Sequence, residues 1–380
     1  MFVMTPEELQ RRHIRRAHYV SCDDAFVDVR LPGSTPKENY SIVGPGVTQN
    51  PGQVINLREP HGFNIGAAGM GPGITDNLHL HFTAEVFIAC EGRFTLRWGV
   101  RGDEGQAPLE PGDVICMPTW MFRGFSNSGT AEDGGHGFLM TVLGGDDTGG
   151  ILWSPEVLRR AGETGLFLSH DNQLIDLPPD SPAPLADALL PPLPADECAA
   201  LRHWSVEEMS ARCVTRAQRD FRCATLDTAL PGHGWQLAPV AGFGLSQHRA
   251  HRAAVTDAQG FSIEWLRVPP GQRSAPLSLT EPAVLVHASG PLAVEFNGGE
   301  PALRTEPGAW DTLSLPAGSR FSFVNTGATD CESLLVVRGD APKRPLFDAE
   351  LVRRAAARDM AVDAGGRLAR LSALPPGLAA

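Results

Sequence analysis

Nowhere among the 380 residues do about 18 apolar side chains follow one another, so no segment reads as a membrane-spanning helix. The N-terminus has Glu7, Glu8 and five arginines by position 30 and lacks the apolar core of a secretory leader. It therefore reads as a cytoplasmic protein with no membrane partner. No long basic stripe offsets the formal charge of −12, so nothing is available to neutralise a phosphate backbone and no nucleic-acid partner is expected. The seven cysteines (Cys22, Cys90, Cys116, Cys198, Cys213, Cys223 and Cys331) are an odd, scattered set without a CxxC pair. They read as buried thiols in a reducing compartment rather than a disulfide framework.

Glycine and proline, by contrast, are abundant at 41 and 32 residues, and 42% hydrophobic content is enough for real cores. Many turns between short strands follow, and the length suits two domains of ordinary size.

One stretch stands out, Gly73-Ile74-Thr75-Asp76-Asn77-Leu78-His79-Leu80-His81-Phe82-Thr83-Ala84-Glu85, closed by Gly92. Side chains two apart on a strand share a face, so His79 and His81 point the same way, and Glu85 stays in phase if the strand continues. Two imidazoles and a carboxylate make a 2-His-1-carboxylate face for a divalent transition metal. Fe(II) or Mn(II) suits this mixed donor set, and Zn(II) also fits it. The other reading is a hydrogen-bonded polar cluster that holds no metal.

In chain order, residues 5 to 20 read as a helix capped by Thr5 with Glu8 three residues on, and 22 to 60 as irregular with one or two strands. Eight strands then follow: 54–57, 63–70, 78–82, 86–90, 93–100, 113–117, 121–126 and 137–143. Ser154 and Pro155 open a short helix, seven prolines fill 177–194, and 195–213 reads as helical again. A β pattern returns from Gly242. Residues 348–360 read as a basic amphipathic helix, and the last residues are expected to fray.

The β pattern is a repeat. Phe63-Asn64-Ile65 matches Phe261-Ser262-Ile263 at an offset of 198, as do Gly92 with Gly290 and Asn127 with Asn325; only Gly112 against Gly308 drifts, to 196. The expected domains are an arm over 1–50, a barrel over 51–150, a Pro-rich helical connector over 151–240, a second barrel over 241–345, and a terminal helix and tail over 346–380.

At this point the residues resemble a family. Gly73, His79, His81, Glu85 and Gly92 match the first cupin motif at every defined position, and Gly112, Pro118 and Asn127 match most of the second. The chain thus resembles a bicupin. The resemblance implies an all-β fold with peripheral helices, built from two tandem double-stranded β-helix (jelly-roll) barrels. Two positions depart from the pattern: Arg123 stands where the second motif has a fourth ligand, usually His, and Trp120 where it has glycine. A guanidinium has no free lone pair for a metal. At the 198 offset Leu277, Leu279, Ala283 and Phe321 replace His79, His81, Glu85 and Arg123, so the second barrel is expected to be structural.

Similarity to gentisate dioxygenase-like bicupins implies Fe(II) and O₂ chemistry, a dioxygenase acting in the N-terminal barrel on a small anionic, perhaps aromatic, substrate. A metal-dependent isomerase or lyase is the second enzymatic reading, and a non-catalytic small-molecule-binding bicupin the third. Arg123 either anchors a substrate anion or pairs with Glu85. Phe87, Trp98, Met117, Trp120 and Phe125 are candidates to wall a pocket, with plain core as the alternative. His61 and His136 precede strands and are candidates for acid/base groups at the mouth. The terminal helices allow a homo-oligomer.

Overall fold

The computed structural model describes residues 2–130, 132, 135–178, 181–298 and 303–375. Two compact units emerge: one is Tyr19–Ala217, the other Met1–His18 with Gln218–Ala380. The first 18 residues thus fall with the C-terminal barrel.

In the N-terminal unit two antiparallel sheets face each other. The larger runs in the order Cys213–Val214, Val114–Met117, Glu85–Glu91, Gly137–Gly144, Phe63–Met70, Lys37–Val43 and Ser21–Cys22, with Ile55–Leu57 parallel to Lys37–Val43. The smaller runs Ile151–Trp153, Thr75–His81, Arg123–Asn127, Phe94–Trp98 and Gly105–Leu109. The strands expected around 63–70, 113–117 and 137–143 appear within a residue of their reading, whereas Gly105–Leu109 and Ile151–Trp153 were not legible. Gly105–Leu109 lies on an edge and carries only one buried side chain, Leu109, so its apolar signal is weak.

The C-terminal unit repeats the plan. Phe261–Val268, Ala283–Ser289, Leu292–Phe296, Thr312–Leu315 and Phe321–Asn325 stand 198 residues beyond strands of the first barrel. That register pairs Gly112 (φ 95°) with Trp310 (φ 61°) rather than with Gly308, so the apparent drift in the glycines is a substitution at a left-handed position. It likewise pairs Trp120 (φ 56°) with Gly318 (φ 72°). The strand Thr75–His81 has no counterpart strand in the copy. Residues 273–279 make only isolated bridges, Arg273 to Val324, Leu277 to Phe321 and Ser278 to Leu346. Leu277, Leu279, Ala283 and Phe321 are all buried in an apolar core with Leu285, Leu313 and Phe323. The lumen that holds imidazoles in one barrel is packed hydrocarbon in the other.

Both halves open with the same device. Thr5 accepts from the Glu8 amide ahead of helix Pro6–Arg12; 200 residues on, Ser205 and Glu208 form a complete capping box ahead of helix Val206–Ser210. Each helix then stops, because the next residues enter a sheet. His13–Ile14 pairs with Thr312–Leu313, and Cys213–Val214 pairs with Val114–Ile115. The helix expected over 5–20 is therefore cut to seven residues, and the one over 195–213 becomes two, Ala195–Ala200 and Val206–Ser210. Strand pairing overrides local helix preference in both places. Ser154 caps Pro155–Glu163 as its sequence implies. The C-terminal helix spans only Ala349–Ala356 and is followed by a hairpin of Met360–Val362 with Leu368–Arg370. The fraying expected of the last residues falls on 376–380, outside the described residues. No helix among the described residues is long and apolar enough to cross a membrane.

Candidate metal centre

His79 and His81 lie on the strand Thr75–His81, and both are buried. The strand does not continue to Glu85 as the parity argument supposes. It ends at His81, residues 82–84 turn, and Glu85 opens a strand of the facing sheet, where it sits opposite Met117 and Leu143. Glu85 thus reaches the two imidazoles across the barrel rather than along one strand. The three potential ligand atoms lie within 4.8 Å of one another, and Glu85 Oε2 is 3.5 Å from His81 Nε2.

The neighbours of His79 set its tautomer. Its Nδ1 is 2.8 Å from the Asn77 carbonyl and 3.1 Å from Asp76 Oδ2, both acceptors, so the proton sits on Nδ1 and Nε2 keeps its lone pair. Burial, with Arg123 and His79 adding to it, holds the His81 imidazole well below its ordinary range and neutral. Its Nδ1 lies buried beside the Gly150 backbone without closing a hydrogen bond. Neutral imidazoles and a carboxylate are the metal-binding forms of these groups. The donor set fits a divalent transition ion.

Behind the trio runs a charged network that strand parity conceals. Lys37 Nζ donates to both carboxylate oxygens of Asp28 at 2.9 Å and to Asp76 Oδ1. Asp28 also accepts from the Asn77 side chain at 3.0 Å. Burial opposes ionisation of Asp76, but Lys37 and His79 outweigh it and bring its pKa down to about 2. Asp76 and His79 are three residues apart, an odd spacing that should place them on opposite faces. The ladder shifts register here, with Arg123 opposite His79 but Phe125 opposite Asp76, and the irregularity turns both inward. A sequence reading has no sign of that bulge.

Arg123 is fully buried and is not part of the cavity wall; its Nε donates to Glu85 Oε2 at 3.0 Å and its Nη1 to the Met121 carbonyl at 2.9 Å, while Nη2 has no partner. Of its two readings, substrate anchor and partner of Glu85, the structure displays the second. Burial pushes the Glu85 carboxyl up, and Arg123 counters part of that shift.

The enclosed space beside the trio is small, about 50 Å³, and is lined by His79, His81, Glu85, Lys37, Phe125 and Trp153 among others. Of the candidate wall residues only Phe125 faces it. Phe87, Trp98 and Met117 are fully buried core, and Trp98 Nε1 donates to the Trp204 carbonyl at 2.8 Å. Trp120 is 45% exposed, packed edge-on against the half-exposed Phe82 at 5.3 Å. His61 is buried, with its Nδ1 on the Glu59 carbonyl, and His136 pairs with Glu38; neither lines the cavity.

Two barrels on one chain, with a cupin trio in the first, define the bicupin fold. Structural comparison agrees. The oxalate decarboxylase of Lactobacillus farciminis, in a formate complex, superposes with a TM-score of 0.54 at 10% identity over 93% of this chain and 91% of its own. The vicilin of Solanum melongena gives 0.52 at 14% identity over 91% and 88%. A Bacillus subtilis oxalate decarboxylase variant gives 0.51 at 12% over 88% and 78%. Identities this low establish the fold and do not single out gentisate dioxygenase among bicupins. No family model matches the chain. An 87-residue stretch, 22% of this chain, is 38% identical to ribonuclease HII of Rhodospirillum rubrum but spans only 39% of that protein.

Proposed function

We propose that the N-terminal barrel is the site of a metal-dependent enzyme that acts on a small carboxylate. The observation that carries this reading is the buried convergence of His79, His81 and Glu85, with the His79 tautomer held by Asn77 and Asp76. Charge balance supports it. Lys37 and Arg123 are buried with three carboxylates, Asp28, Asp76 and Glu85, so the cluster carries one excess negative charge when all five are ionised. A divalent ion reverses that to one positive charge, and a carboxylate substrate completes the balance.

Cavity size supports a small substrate. The space of about 50 Å³ found here is a third of the roughly 150 Å³ of an apolar cavity that takes up benzene. This supports a small aliphatic acid over the aromatic substrate of a ring-cleaving dioxygenase, and with it the lyase reading. The Bacillus subtilis oxalate decarboxylase has Mn(II) centres, which supports Mn(II) beside Fe(II) as the ion.

A bound ion supplies Lewis-acid polarisation of the substrate. The protein's own groups do the rest. Asp76, neutralised by Lys37, keeps the His79 proton on Nδ1; Arg123 fixes Glu85 through Oε2 and leaves Oε1 for a further partner; the apolar walls exclude water.

Metal analysis of freshly purified protein, followed by CO₂ release and oxygen uptake against small mono- and dicarboxylates, tests the reading. About one equivalent of Mn or Fe with turnover of a small acid is expected. Negligible transition metal after Mn(II) or Fe(II) reconstitution overturns it in favour of the metal-free ion pair of Arg123 with Glu85; oxygen uptake with hydroxybenzoates restores the dioxygenase.

A further inference from the structure

The C-terminal unit contains a second cavity, of about 280 Å³, which has no part in the chemistry above. Three segments wall it: the loop Gly242–Thr256, the turn Pro342–Arg344, and the hairpin turn Gly365–Arg367. Five permanently or ordinarily cationic side chains converge on it, Arg249, Arg252, Lys343, Arg344 and Arg367.

Among the described residues only one of them is neutralised by direct contact. Arg249 pairs with Asp363. The others are held by main-chain carbonyls. Arg252 donates to the carbonyls of Arg249 and His251 at 2.8 and 2.7 Å, Arg344 to Ala364 at 2.8 Å, and Arg367 to Ser246 at 3.0 Å. Lys343 donates to Gly339 at 2.6 Å and to Ala341. A carbonyl satisfies an N–H and orients the side chain, but it leaves the positive charge in place. The carboxylates that Lys343 feels at longer range are Asp340, Glu281 and Glu264. Asp340 already accepts from the amides of Gln259 and Gly260, and Glu264 from that of Leu245.

His251 also lines the cavity and is 4% exposed; its Nδ1 bonds Ser246 Oγ at 2.6 Å, and its Nε2 stands 3.9 Å from Asp220.

The repeat supplies a control within the molecule. Gly46 corresponds to Gly244, and it too lines a surface cavity, with Asp146, Asp147 and Asp171 and with Arg58 as its one Arg or Lys. The same place in the two halves carries opposite charge. The fold therefore does not require the cations, and in a chain of net charge −12 they are concentrated against the general trend.

We propose that this cavity binds a small phosphorylated metabolite carrying at least two negative charges. Phosphate oxygens project in three directions and can accept from cations on all three walls, whereas a carboxylate is planar and is satisfied by one guanidinium fork. The site lies in the unit without the metal trio, so its test is independent of the enzymatic reading.

Calorimetric titration of the full chain with inorganic phosphate, pyrophosphate and, as a polyanion whose charged groups are planar carboxylates, citrate at constant ionic strength provides the test. Saturable pyrophosphate binding at one site per chain is expected, with Kd below about 1 mM, weakened about tenfold or more in Arg344→Gln and in Arg367→Gln and unchanged in Arg58→Gln. Absence of saturable phosphate or pyrophosphate binding overturns the proposal. So does binding indifferent to Arg344 and Arg367, or citrate binding tighter than pyrophosphate. Arg344 is exposed, so its variant keeps the test meaningful even if Lys343 or Arg367 proves needed for folding.

Discussion

Arg123 Nε donates to Glu85 Oε2 at 3.0 Å across the lumen of the first barrel, both side chains buried. The pair puts a fixed cation where a fourth metal ligand stands in the cupin pattern. It also counters part of the upward push that burial gives the Glu85 carboxyl.

Removing the cation leaves Glu85 buried and unpaired. Arg123→Met is expected to destabilise the metal-free protein by about 3–5 kcal/mol. Mn(II) should then raise the thermal midpoint more in the variant than in wild type, because the ion takes over the compensation of Glu85. Equal metal-induced shifts in the two proteins would contradict this account.

Asp76 sits on the Nδ1 side of His79 and would orient the ring without itself touching a bound ion. Asp76→Asn is expected to weaken metal binding about 10- to 100-fold, whereas His79→Ala should abolish stoichiometric metal. Competition against a chromogenic chelator measures both. An Asp76→Asn protein with wild-type affinity would mean that the Asn77 carbonyl alone orients the ring.

Two glycines of the first motif differ in what surrounds them. Both have positive φ, but a Cβ on Gly73 meets nothing within 4 Å, while one on Gly92 would lie 2.8 Å from the Gly137 backbone. Gly73→Ala should cost about 1–2 kcal/mol, the left-handed penalty alone. Gly92→Ala should cost clearly more, since backbone must move. Chemical denaturation ranks them, and the reverse order would refute the close approach of these strands.

Glu264 is buried in the second barrel, and burial pushes its pKa from an ordinary 4.5 up to about 7, with the Leu245 and Ser246 amides opposing the shift. A raised carboxyl pKa means the folded state holds its proton longer than the unfolded chain, so this group costs stability as pH rises from about 4.5 to 7 and levels off above. The loss is on the order of 3 kcal/mol over that window. Glu264→Gln should flatten this part of the stability profile; a variant with an unchanged slope between pH 5 and 8 would show that another group is responsible.

Much of the fold was legible because its signals are local. Strands such as Phe63–Met70 carry alternating or continuous apolar patterns between glycine turns, and the 198-residue repeat was visible in the glycines, Asn127 and Asn325. What failed was helix length. The segments after Arg12 and Ser210 look helical by composition, but each becomes an edge strand on a barrel, and no local pattern records a distant partner.

The amino-acid sequence by itself determined the bicupin fold, the identity of the metal-ligand candidates His79, His81 and Glu85, and the erasure of their copy at Leu277, Leu279 and Ala283, because residue type and spacing suffice for each. Tertiary structure decided which groups meet. Glu85 arrives from the opposite sheet, a bulge turns Asp76 inward beside His79, Lys37 joins Asp28 to Asp76, and Arg123 is spent on Glu85. The cationic cavity likewise gathers Arg249, Lys343 and Arg367 from three separate segments of the chain. Strand parity describes one strand at a time, whereas a site inside a barrel is defined by register shifts and by the facing sheet, which only the folded chain supplies.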